Sequence, residues 1–443
     1  MSSSSAQPSA DAAPPALVVP LERVLIRTDL LLEAALAEVR RSPLTAFRLV
    51  ARRAAGGRAA AAKMLARTGA FDPRNLAYDE ALLARLQEAR AGGRMLVLVS
   101  HEDPSLALSV AEHLGIFDAV FAPGDPTEAD VRERVRREFP SHEIAQASTV
   151  GAGPRVGALV RSLRPHQWTK NALIFVPALL AHATQPQVWL RALWAFAAFS
   201  LCASSVYVLN DLLDLHADRA HPSKKARPFA SGRLPLGVGM ALAPLLLGVA
   251  AAIALALPPA FAAVLAVYYA STLAYSLYLK RVVLVDVLLL AGLYTLRLMA
   301  GGFACEVPLS QWLLAFGLFL FVSLAFVKRT SEVQLVRREG GHETAGRGYL
   351  ASDLEVLFAL GAAAGYLSVL VLALYLHSDD VRRLYAHPAR LWAMLPLLLY
   401  WVSRMWLLAH RGQMHDDPIV FAIRDPPSYL VAFGAAAVMF LAR

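Results

Sequence analysis

The chain has 443 residues, of which 57% are hydrophobic and 17% are charged, and its formal net charge is +9. Soluble domains average about 45–50% apolar and about 25% charged residues, which excludes a chain that is soluble throughout. The two cysteines, Cys202 and Cys305, fall in or beside apolar segments, which excludes a disulfide framework or a cysteine-rich zinc site. The positive charge does not predict a nucleic-acid partner, because Lys and Arg beside membrane spans account for it and no aromatic–basic interleaving accompanies it.

Residues 1–15 are rich in Ser, Ala and Pro and low in charge, a composition that predicts a disordered tail. This segment lacks the basic stretch and apolar stretch that together make a signal peptide. We therefore expect the soluble region that follows it to stay in the cytoplasm.

Residues 16–150 predict a small soluble α/β domain, because short apolar runs alternate with helical patterns. The predicted strands are at 17–26, 95–100 and 119–123. Residues 103–116 predict a helix, and the Arg- and Ala-rich residues 29–68 have a helical period. This alternation predicts a parallel sheet with a helical insertion.

From about residue 160 to residue 443 the chain contains repeated apolar runs of bilayer-spanning length. Nine candidate spans lie at roughly 171–185, 190–209, 237–256, 259–279, 283–301, 309–327, 354–377, 391–409 and 428–442. Lys and Arg are concentrated in the loops after the second, fourth, sixth and eighth spans. The positive-inside rule places these loops and the N-terminal domain in the cytoplasm and the C-terminus outside. We therefore predict an all-α polytopic bundle of nine transmembrane helices in the cell inner membrane.

The main candidate for chemistry begins where the second predicted span ends. Asn210, Asp214 and Asp218 are spaced at i, i+4 and i+8, and Asp211 precedes Asp214 by three residues, so a helix that continued would present one acidic stripe. Crowded carboxylates need a cation, and hard oxygen ligands at an open site suit Mg²⁺, which takes substrate phosphates as its remaining ligands. The spacing predicts a Mg²⁺ site at Asp211, Asp214 and Asp218, with ordinary juxtamembrane charges as the alternative.

The residues that follow the acidic stripe are basic. His221, Lys224, Lys225 and Arg227 come within one short segment, and their side chains are donors suited to phosphate oxygens. A carboxylate cluster beside a basic cluster can hold a magnesium diphosphate from both sides.

A second polar cluster runs from Tyr275 to Arg297. Lys280 lies at the end of the fourth predicted span, and Asp286 and Arg297 lie within the fifth. Charges inside a membrane span are costly and usually functional, so we expect a function for both. The alternative is an internal ion pair, although the eleven residues between Asp286 and Arg297 put a pair within one helix out of reach.

Three further groups lie at span ends: 163–171, 328–332 and 416–425. Each is weak evidence alone, because Lys and Arg are common at the cytoplasmic ends of spans. The loop charges predict that all three lie on the membrane face that carries the acidic stripe.

The motifs RPxQWxKN from Arg164, NDxxDxxxDxxHPxKxxRPxAxG from Asn210 and YSxxLK from Tyr275, with Arg297 in the fifth span, resemble the UbiA superfamily of intramembrane prenyltransferases. The resemblance covers about residues 160–443. It implies a helical bundle around a central cavity that opens to lipid, in which Asp-rich motifs bind Mg²⁺ and activate a diphosphate. By this resemblance Asp211, Asp214 and Asp218 are the catalytic metal ligands, and the substrate-binding residues are Lys170, Asn210, Lys224, Arg227, Tyr275, Lys280, Asp286, Arg297 and Lys328.

Within this superfamily the aromatic prenyltransferases usually carry a second Asp-rich motif, DxxxD, near the fifth span. Here Asp286 is followed four residues later by Leu290. The chain looks more like the decaprenyl-phosphate phosphoribosyltransferase branch, which implies phosphoribosyl pyrophosphate as donor and a polyprenyl phosphate as acceptor. The alternative is transfer of a polyprenyl group from its diphosphate to an aromatic acceptor such as 4-hydroxybenzoate. A transporter or scaffold is disfavoured, because the polar groups gather at one face and no internal repeat is visible; monomer and homo-oligomer both stay open.

The N-terminal residues 16–150 resemble the haloacid-dehalogenase-like phosphatase (HAD-like) fold. Active members carry DxDGT after the first strand, whereas this chain has Pro20, which cannot attack phosphorus, with Glu22 two residues later. Ser100 matches the hydroxyl of the second motif. The resemblance implies a domain that is inactive as a phosphatase and has a structural, regulatory or partner-binding role.

Overall fold

The computed structural model describes residues 15–41, 72–101, 104–122, 128–148, 155–344, 347–414 and 418–443. Residues 1–14 of the predicted tail at 1–15, and much of the predicted insertion at 29–68, lie outside these residues. The chain divides into two compact units. The first unit comprises Met1–Arg164 and Tyr207–Leu245, and the second comprises Pro165–Val206 and Leu246–Arg443.

The described strands are β1 Ala16–Pro20, β2 Leu96–Val99, β3 Ala119–Phe121 and β4 His142–Ile144. The described helices are α1 Leu30–Arg41, α2 Glu80–Ala91, α3 Pro104–Leu114, α4 Glu128–Glu138, α5 Arg155–Leu163, α6 Val176–Leu180, α7 Pro186–Leu213, α8 Leu215–Ala220, α9 Leu236–Leu255, α10 Pro259–Leu277, α11 Val285–Cys305, α12 Gln311–Arg338, α13 Leu354–Leu376, α14 Asp379–Leu384, α15 Met394–His410, α16 Pro418–Arg424 and α17 Pro426–Ala442.

The first unit contains the predicted parallel sheet. Its four described strands lie in the order β3-β2-β1-β4, and each pair is parallel. The sequence pattern missed β4, because it has only the three residues HEI and no apolar run. The chain order therefore reverses at β1, with β2 on one side of it and β4 on the other.

Both faces of this sheet are buried. Val18 and Val97 contact Val135 of α4 on one face, whereas Val19 and Leu98 belong to a separate core on the other face. Successive residues of a strand point to opposite faces, and a parallel sheet covered on both sides needs apolar residues at every position. This explains why β1 and β2 are unbroken apolar runs rather than alternating ones.

The second unit is helical, and its core lies among α11, α12, α13 and α15. Val287, Phe321, Leu357 and Val402 are buried together in this core. Before these helices, a 3₁₀-helix at Pro165–Phe175 contacts α11 and leads into α6.

Among the described residues, seven helices are long and apolar enough to cross a membrane. They are Pro186–Leu213, Leu236–Leu255, Pro259–Leu277, Val285–Cys305, Gln311–Arg338, Ala351–Leu376 and Pro388–His410.

The predicted count of nine spans is not confirmed. The predicted first span at 171–185 is occupied by the end of the 3₁₀-helix and by the short α6, whose first turn contains Pro177. Proline is tolerated there because the first turn leaves its N–H groups unbonded, so Pro177 marks a helix start. The predicted last span at 428–442 falls in α17, which has 17 residues and is shorter than each of the seven spanning-length segments named above.

Candidate active site

The acidic segment, residues 210–233, begins at the end of α7. Helix α7 ends at Leu213, Asp214 precedes α8, and α8 begins at Leu215. The amide of Asp214 donates to the carbonyl of Asn210 at 2.8 Å, and the amide of Asp218 donates to the carbonyl of Asp214 at 2.8 Å. Helical hydrogen bonding thus continues across a one-residue interruption, which replaces the unbroken helix that the acidic stripe presupposed.

The structure brings two of the predicted carboxylates together around one cation. Nη1 of Arg227 lies 3.2 Å from Oδ1 of Asp211 and 2.6 Å from Oδ2 of Asp218. Asp211 and Asp218 are only 2% and 3% exposed. Because a buried carboxylate is costly without a paired charge, the Arg227 guanidinium stabilises both carboxylates by lying between them.

Arg164 is a second cation at the same carboxylate. Its Nη2 donates to Oδ1 of Asp211, and its guanidinium lies 5.1 Å from the ring centre of Tyr207. The Arg164 backbone has a φ of 52°, in the left-handed region that costs energy for a residue other than glycine. The sequence pattern did not single out Arg164 as a site residue; its place in the RPxQWxKN motif was the available signal.

The two buried carboxylates have the donor chemistry for Mg²⁺. In the part of the chain that the structure describes, no group of three or more His, Cys, Asp or Glu is close enough to hold a metal ion. Proteins, however, commonly bind Mg²⁺ through one or two carboxylates, with water and substrate phosphates as the other ligands. Asp211 and Asp218 around a cationic nitrogen fit that arrangement. Asp214, which is partly buried, stays a predicted third ligand.

The predicted basic residues of the acidic segment differ in exposure. Lys224 and Lys225 are exposed in a 3₁₀ turn at Lys224–Ala226, whereas Arg227 is partly buried against the carboxylates. Exposure leaves Lys224 accessible to an anion that arrives from solvent.

In the second unit Arg297 is buried at 5% exposure, with donors committed to neighbouring groups. Its Nε donates to Asn171 at 2.8 Å, its Nη1 to the carbonyl of Leu293 at 2.6 Å, and its Nη2 to the hydroxyl of Tyr268 at 2.9 Å. These contacts join the 3₁₀-helix at Pro165–Phe175 to α10 and α11. The predicted phosphate contact of Arg297 stays a prediction, as does that of Lys170, whose Nζ lies 5.9 Å from the ring centre of Tyr294.

Asp286 forms an ion pair with a cation from the next helix. Oδ2 of Asp286 lies 2.5 Å from Nε of Arg329, and both side chains are fully buried. The Tyr349 hydroxyl also donates to Asp286. An internal ion pair was the alternative prediction for Asp286, and its partner in the structure is Arg329 of α12 rather than a residue of the same helix.

Tyr275 and Glu332 contact the Arg329 guanidinium as well. The Tyr275 hydroxyl accepts from Nη2 of Arg329 at 3.0 Å, and Glu332 also contacts the Arg329 guanidinium. Lys328 and Lys280 are partly buried. Their predicted roles in binding substrate stay predictions.

The part of the first unit that carries the parallel sheet, which we call the α/β domain as predicted at residues 16–150, has a polar cluster where β1 and β2 end. Oε1 of Glu22 accepts hydrogen bonds from the hydroxyl of Ser100, at 2.5 Å, and from the amide of His101, at 3.1 Å. The structure thus brings together Glu22 and Ser100, which the sequence had singled out. The predicted resemblance to a phosphatase fold stays a prediction.

The fold and the site together define a multi-pass helical membrane protein with buried carboxylates near the end of a span. A sequence model of the UbiA prenyltransferase family matches residues 172–440. The chain therefore belongs to the UbiA prenyltransferase family and is a transferase of that family.

Individual proteins are also similar to this chain in sequence. The chain is 34% identical to the uncharacterized protein y4nM of Sinorhizobium fredii, in a match that covers 96% of this chain and 90% of the relative. It is 36% identical to nodulation protein NoeC of Azorhizobium caulinodans over 62% of this chain and 89% of that protein. It is 35% identical to decaprenyl-phosphate phosphoribosyltransferase of Mycolicibacterium smegmatis over 51% of this chain and 73% of that enzyme.

Among the solved structures that are similar to this chain is a UbiA homologue from Archaeoglobus fulgidus bound to GPP and Mg²⁺. It is 16% identical with a TM-score of 0.47, and the match covers 64% of this chain and 99% of that one.

Proposed function

We propose that this chain transfers 5-phosphoribosyl from phosphoribosyl pyrophosphate to a polyprenyl phosphate, in a Mg²⁺-dependent reaction. The observation that carries the proposal is the pair of buried carboxylates, Asp211 and Asp218, around Arg227. The 35% identity to decaprenyl-phosphate phosphoribosyltransferase supports the choice of donor and acceptor within the family.

Asp211 and Asp218 would hold the metal, and Asp214 and Asn210 are the predicted additional ligands. When bound, Mg²⁺ would supply positive charge at the leaving diphosphate oxygens. A guanidinium binds phosphate oxygens well, so Arg227 and Arg164, which lie at these carboxylates, would bind the diphosphate of the donor. Lys224 is an exposed cation in the same segment.

The reaction needs little acid–base chemistry from the protein. The bond between the ribose C1 and the diphosphate breaks, the diphosphate leaves with its electron pair, and an oxygen of the lipid phosphate forms the new bond to C1. Phosphate monoesters lose their second proton near pH 6, so the nucleophile is already an anion at neutral pH. The work left to the side chains is binding and charge stabilisation, which cations and carboxylate-held metals provide.

The acceptor is a lipid, which agrees with a chain that carries seven apolar helices of spanning length among its described residues. We propose that the protein lies in the cell inner membrane, with the α/β domain and the acidic segment on the cytoplasmic side. The Lys- and Arg-rich loops support this orientation.

The first experiment offers two donor–acceptor pairs to the full chain purified in detergent with Mg²⁺. One pair is radiolabelled phosphoribosyl pyrophosphate with polyprenyl phosphate, and the other is prenyl diphosphate with 4-hydroxybenzoate. We expect label to enter the lipid phase with the first pair only, and only with Mg²⁺. Prenylated 4-hydroxybenzoate instead would replace the proposal with the aromatic prenyltransferase alternative.

Variants of the acidic segment test the residues. Asp211→Asn and Asp218→Asn should each lower turnover by at least about 100-fold, because an electrostatic group at the reacting centre commonly contributes that much. Glu306→Gln, which alters an exposed carboxylate paired with Arg191, is the control and should keep full turnover. Full activity in either aspartate variant would remove it from the metal site.

A further inference from the structure

The acidic segment is attached to the α/β domain through Arg219, the residue next to Asp218. Nη1 and Nη2 of Arg219 donate to the two carboxylate oxygens of Glu33 at 2.8 Å and 2.7 Å. Glu33 lies on α1 and is 2% exposed, and the hydroxyl of Thr28 donates to it as well. A two-point contact between a guanidinium and a carboxylate fixes orientation as well as distance.

The remaining donors of Arg219 extend this attachment. Nη1 also donates to the carbonyl of Asn75, in the 3₁₀ turn that precedes α2, and Nε donates to the carbonyl of Ala230 at 2.9 Å. One guanidinium therefore joins α1, the Asn75 turn and the loop that follows Arg227. Arg219 and Asp218 are neighbours on the six-residue α8, so a constraint on Arg219 also constrains Asp218.

A second, uncharged contact lies at Gly232. Its backbone has a φ of +70°, and a Cβ added there would lie 2.6 Å from Cβ of Arg27 and 3.6 Å from Cβ of Ala77. Arg27 follows β1, and Ala77 precedes α2. The backbone of the acidic segment therefore lies directly against the α/β domain, at a distance that only glycine permits.

These contacts lie at the edge of the sheet where the carboxyl ends of its strands meet. In open parallel sheets, ligands bind beside the loops that follow the carboxyl ends of the strands, where the strand order reverses. Arg27 and Glu33 belong to the connection that follows β1, where the order reverses. The protein's own acidic segment lies against this connection.

We propose that the α/β domain is a positioning domain for the acidic segment. Its Glu33 holds Arg219, Arg219 holds α8, and α8 presents Asp218 to a divalent cation with the geometry that tight binding requires. Glu33 and Arg219 are positioning residues, because they act through Asp218. The proposal rests on the metal site of the proposed function.

The test measures how tightly Mn²⁺ alone binds to the full chain in detergent. Electron paramagnetic resonance of the free ion reports the fraction that stays unbound. Glu33→Gln keeps the size of the side chain and removes its charge. Glu143→Gln is the matched control, because it removes the carboxylate of another ion pair in the α/β domain, that of Glu143 with Arg94, and both of these residues lie outside the acidic segment. We expect Glu33→Gln to weaken Mn²⁺ binding at least tenfold and Glu143→Gln to leave it unchanged.

Gly232→Ala is a second variant that separates positioning from charge. It should weaken Mn²⁺ binding in the same direction, because the added Cβ moves the segment away from Arg27, and it decides the matter if Glu33→Gln does not fold. Wild-type affinity in both variants, or an equal loss in Glu143→Gln, would overturn the inference and leave the metal site standing. If the wild-type chain does not bind Mn²⁺, or if Asp218→Asn does not weaken its binding, the metal site and the inference are both overturned.

Discussion

Arginine side chains make the main buried ion pairs of this protein. Arg219 pairs with Glu33, Arg227 with Asp211 and Asp218, and Arg329 with Asp286. The planar guanidinium matches a carboxylate at two points and keeps its charge at any accessible pH, which suits it to buried pairs. A residue-by-residue reading of the sequence predicted Arg227 only as a phosphate ligand, because the pairing partner of a cation is a tertiary property.

The Arg329–Asp286 pair should be a strong determinant of stability. Both side chains are fully buried, so Arg329→Met would leave Asp286 charged in a dry site. Breaking one partner of a buried pair costs about 3–5 kcal/mol, and we expect a loss of that size. Thermal unfolding of the detergent-solubilised chain measures it. Glu332→Gln, at a partner that is 33% exposed, should cost less than about 1 kcal/mol; equal losses in the two variants would contradict the assignment.

Asp79 of the α/β domain should make stability depend on pH. Burial raises the pKa of Asp79. Hydrogen bonds from Ser148 and the Leu82 amide, together with the nearby charge of Arg27, lower this pKa by more than burial raises it, so it lies below its ordinary value of 3.8. A lowered pKa contributes stability that is present above pH 3.8 and is lost as the pH falls through the folded-state pKa. The difference in unfolding temperature between wild type and Asp79→Asn should therefore shrink from about pH 6 to about pH 3. A difference that stays constant would show that Asp79 is not the titrating group.

At the scale of elements, the break between α7 and α8 decides how the carboxylates meet. The predicted i, i+4, i+8 spacing would place Asp214 between Asn210 and Asp218 on one helix face, with Asp211 one position round the helix. In the structure α8 begins after the break at Asp214, and the described contacts bring Asp211 and Asp218 to one nitrogen of Arg227. The motif predicted which residues form the site. The loop after α8 brings Arg227 back to the two carboxylates, and this loop decides how the residues are arranged.

The contact between α13 and its neighbours depends on small residues. A Cβ added at Gly361 would lie 2.2 Å from the Trp406 ring and 2.6 Å from Cβ of Phe326. Gly361→Ala should therefore destabilise the bundle by about 1–3 kcal/mol through overpacking. Gly248→Ala in α9, where nothing lies within 4 Å, should be neutral or gain up to about 1 kcal/mol of helix propensity. Thermal unfolding of both variants checks this, and a Gly361→Ala variant as stable as wild type would contradict close packing there.

At the scale of the whole molecule, the orientation in the membrane is open to direct measurement. We expect a cysteine at Arg136 in α4 to react with an impermeant reagent only from the cytoplasmic side, and one at Glu306 after α11 only from the opposite side. The native cysteines Cys202 and Cys305 are buried and can be replaced, so that only the introduced cysteine reacts. Labelling of Arg136→Cys in intact cells would invert the proposed orientation and move the acidic segment out of the cytoplasm.

Local chemistry was enough to predict much of this protein. Apolar runs of bilayer length indicate membrane helices, because the lipid core accepts little else, and seven helices long and apolar enough to span a membrane are present among the described residues. The alternation of short apolar runs with helical patterns predicted a parallel sheet. The motifs that begin at Arg164, Asn210 and Tyr275 carried the resemblance to the family to which the chain belongs.

Tertiary structure alone decided which charges meet. Glu33 and Arg219 are 186 residues apart in the chain, and Asp286 and Arg329 lie on different helices, so no periodicity relates them. The role that we infer for the α/β domain also depends on such contacts, since nothing in the sequence around Glu33 predicts that it lies near Arg219 or that Gly232 lies against Arg27. Sequence patterns report the environment of each segment along the chain, whereas ion pairs between distant segments form only when packing brings them together.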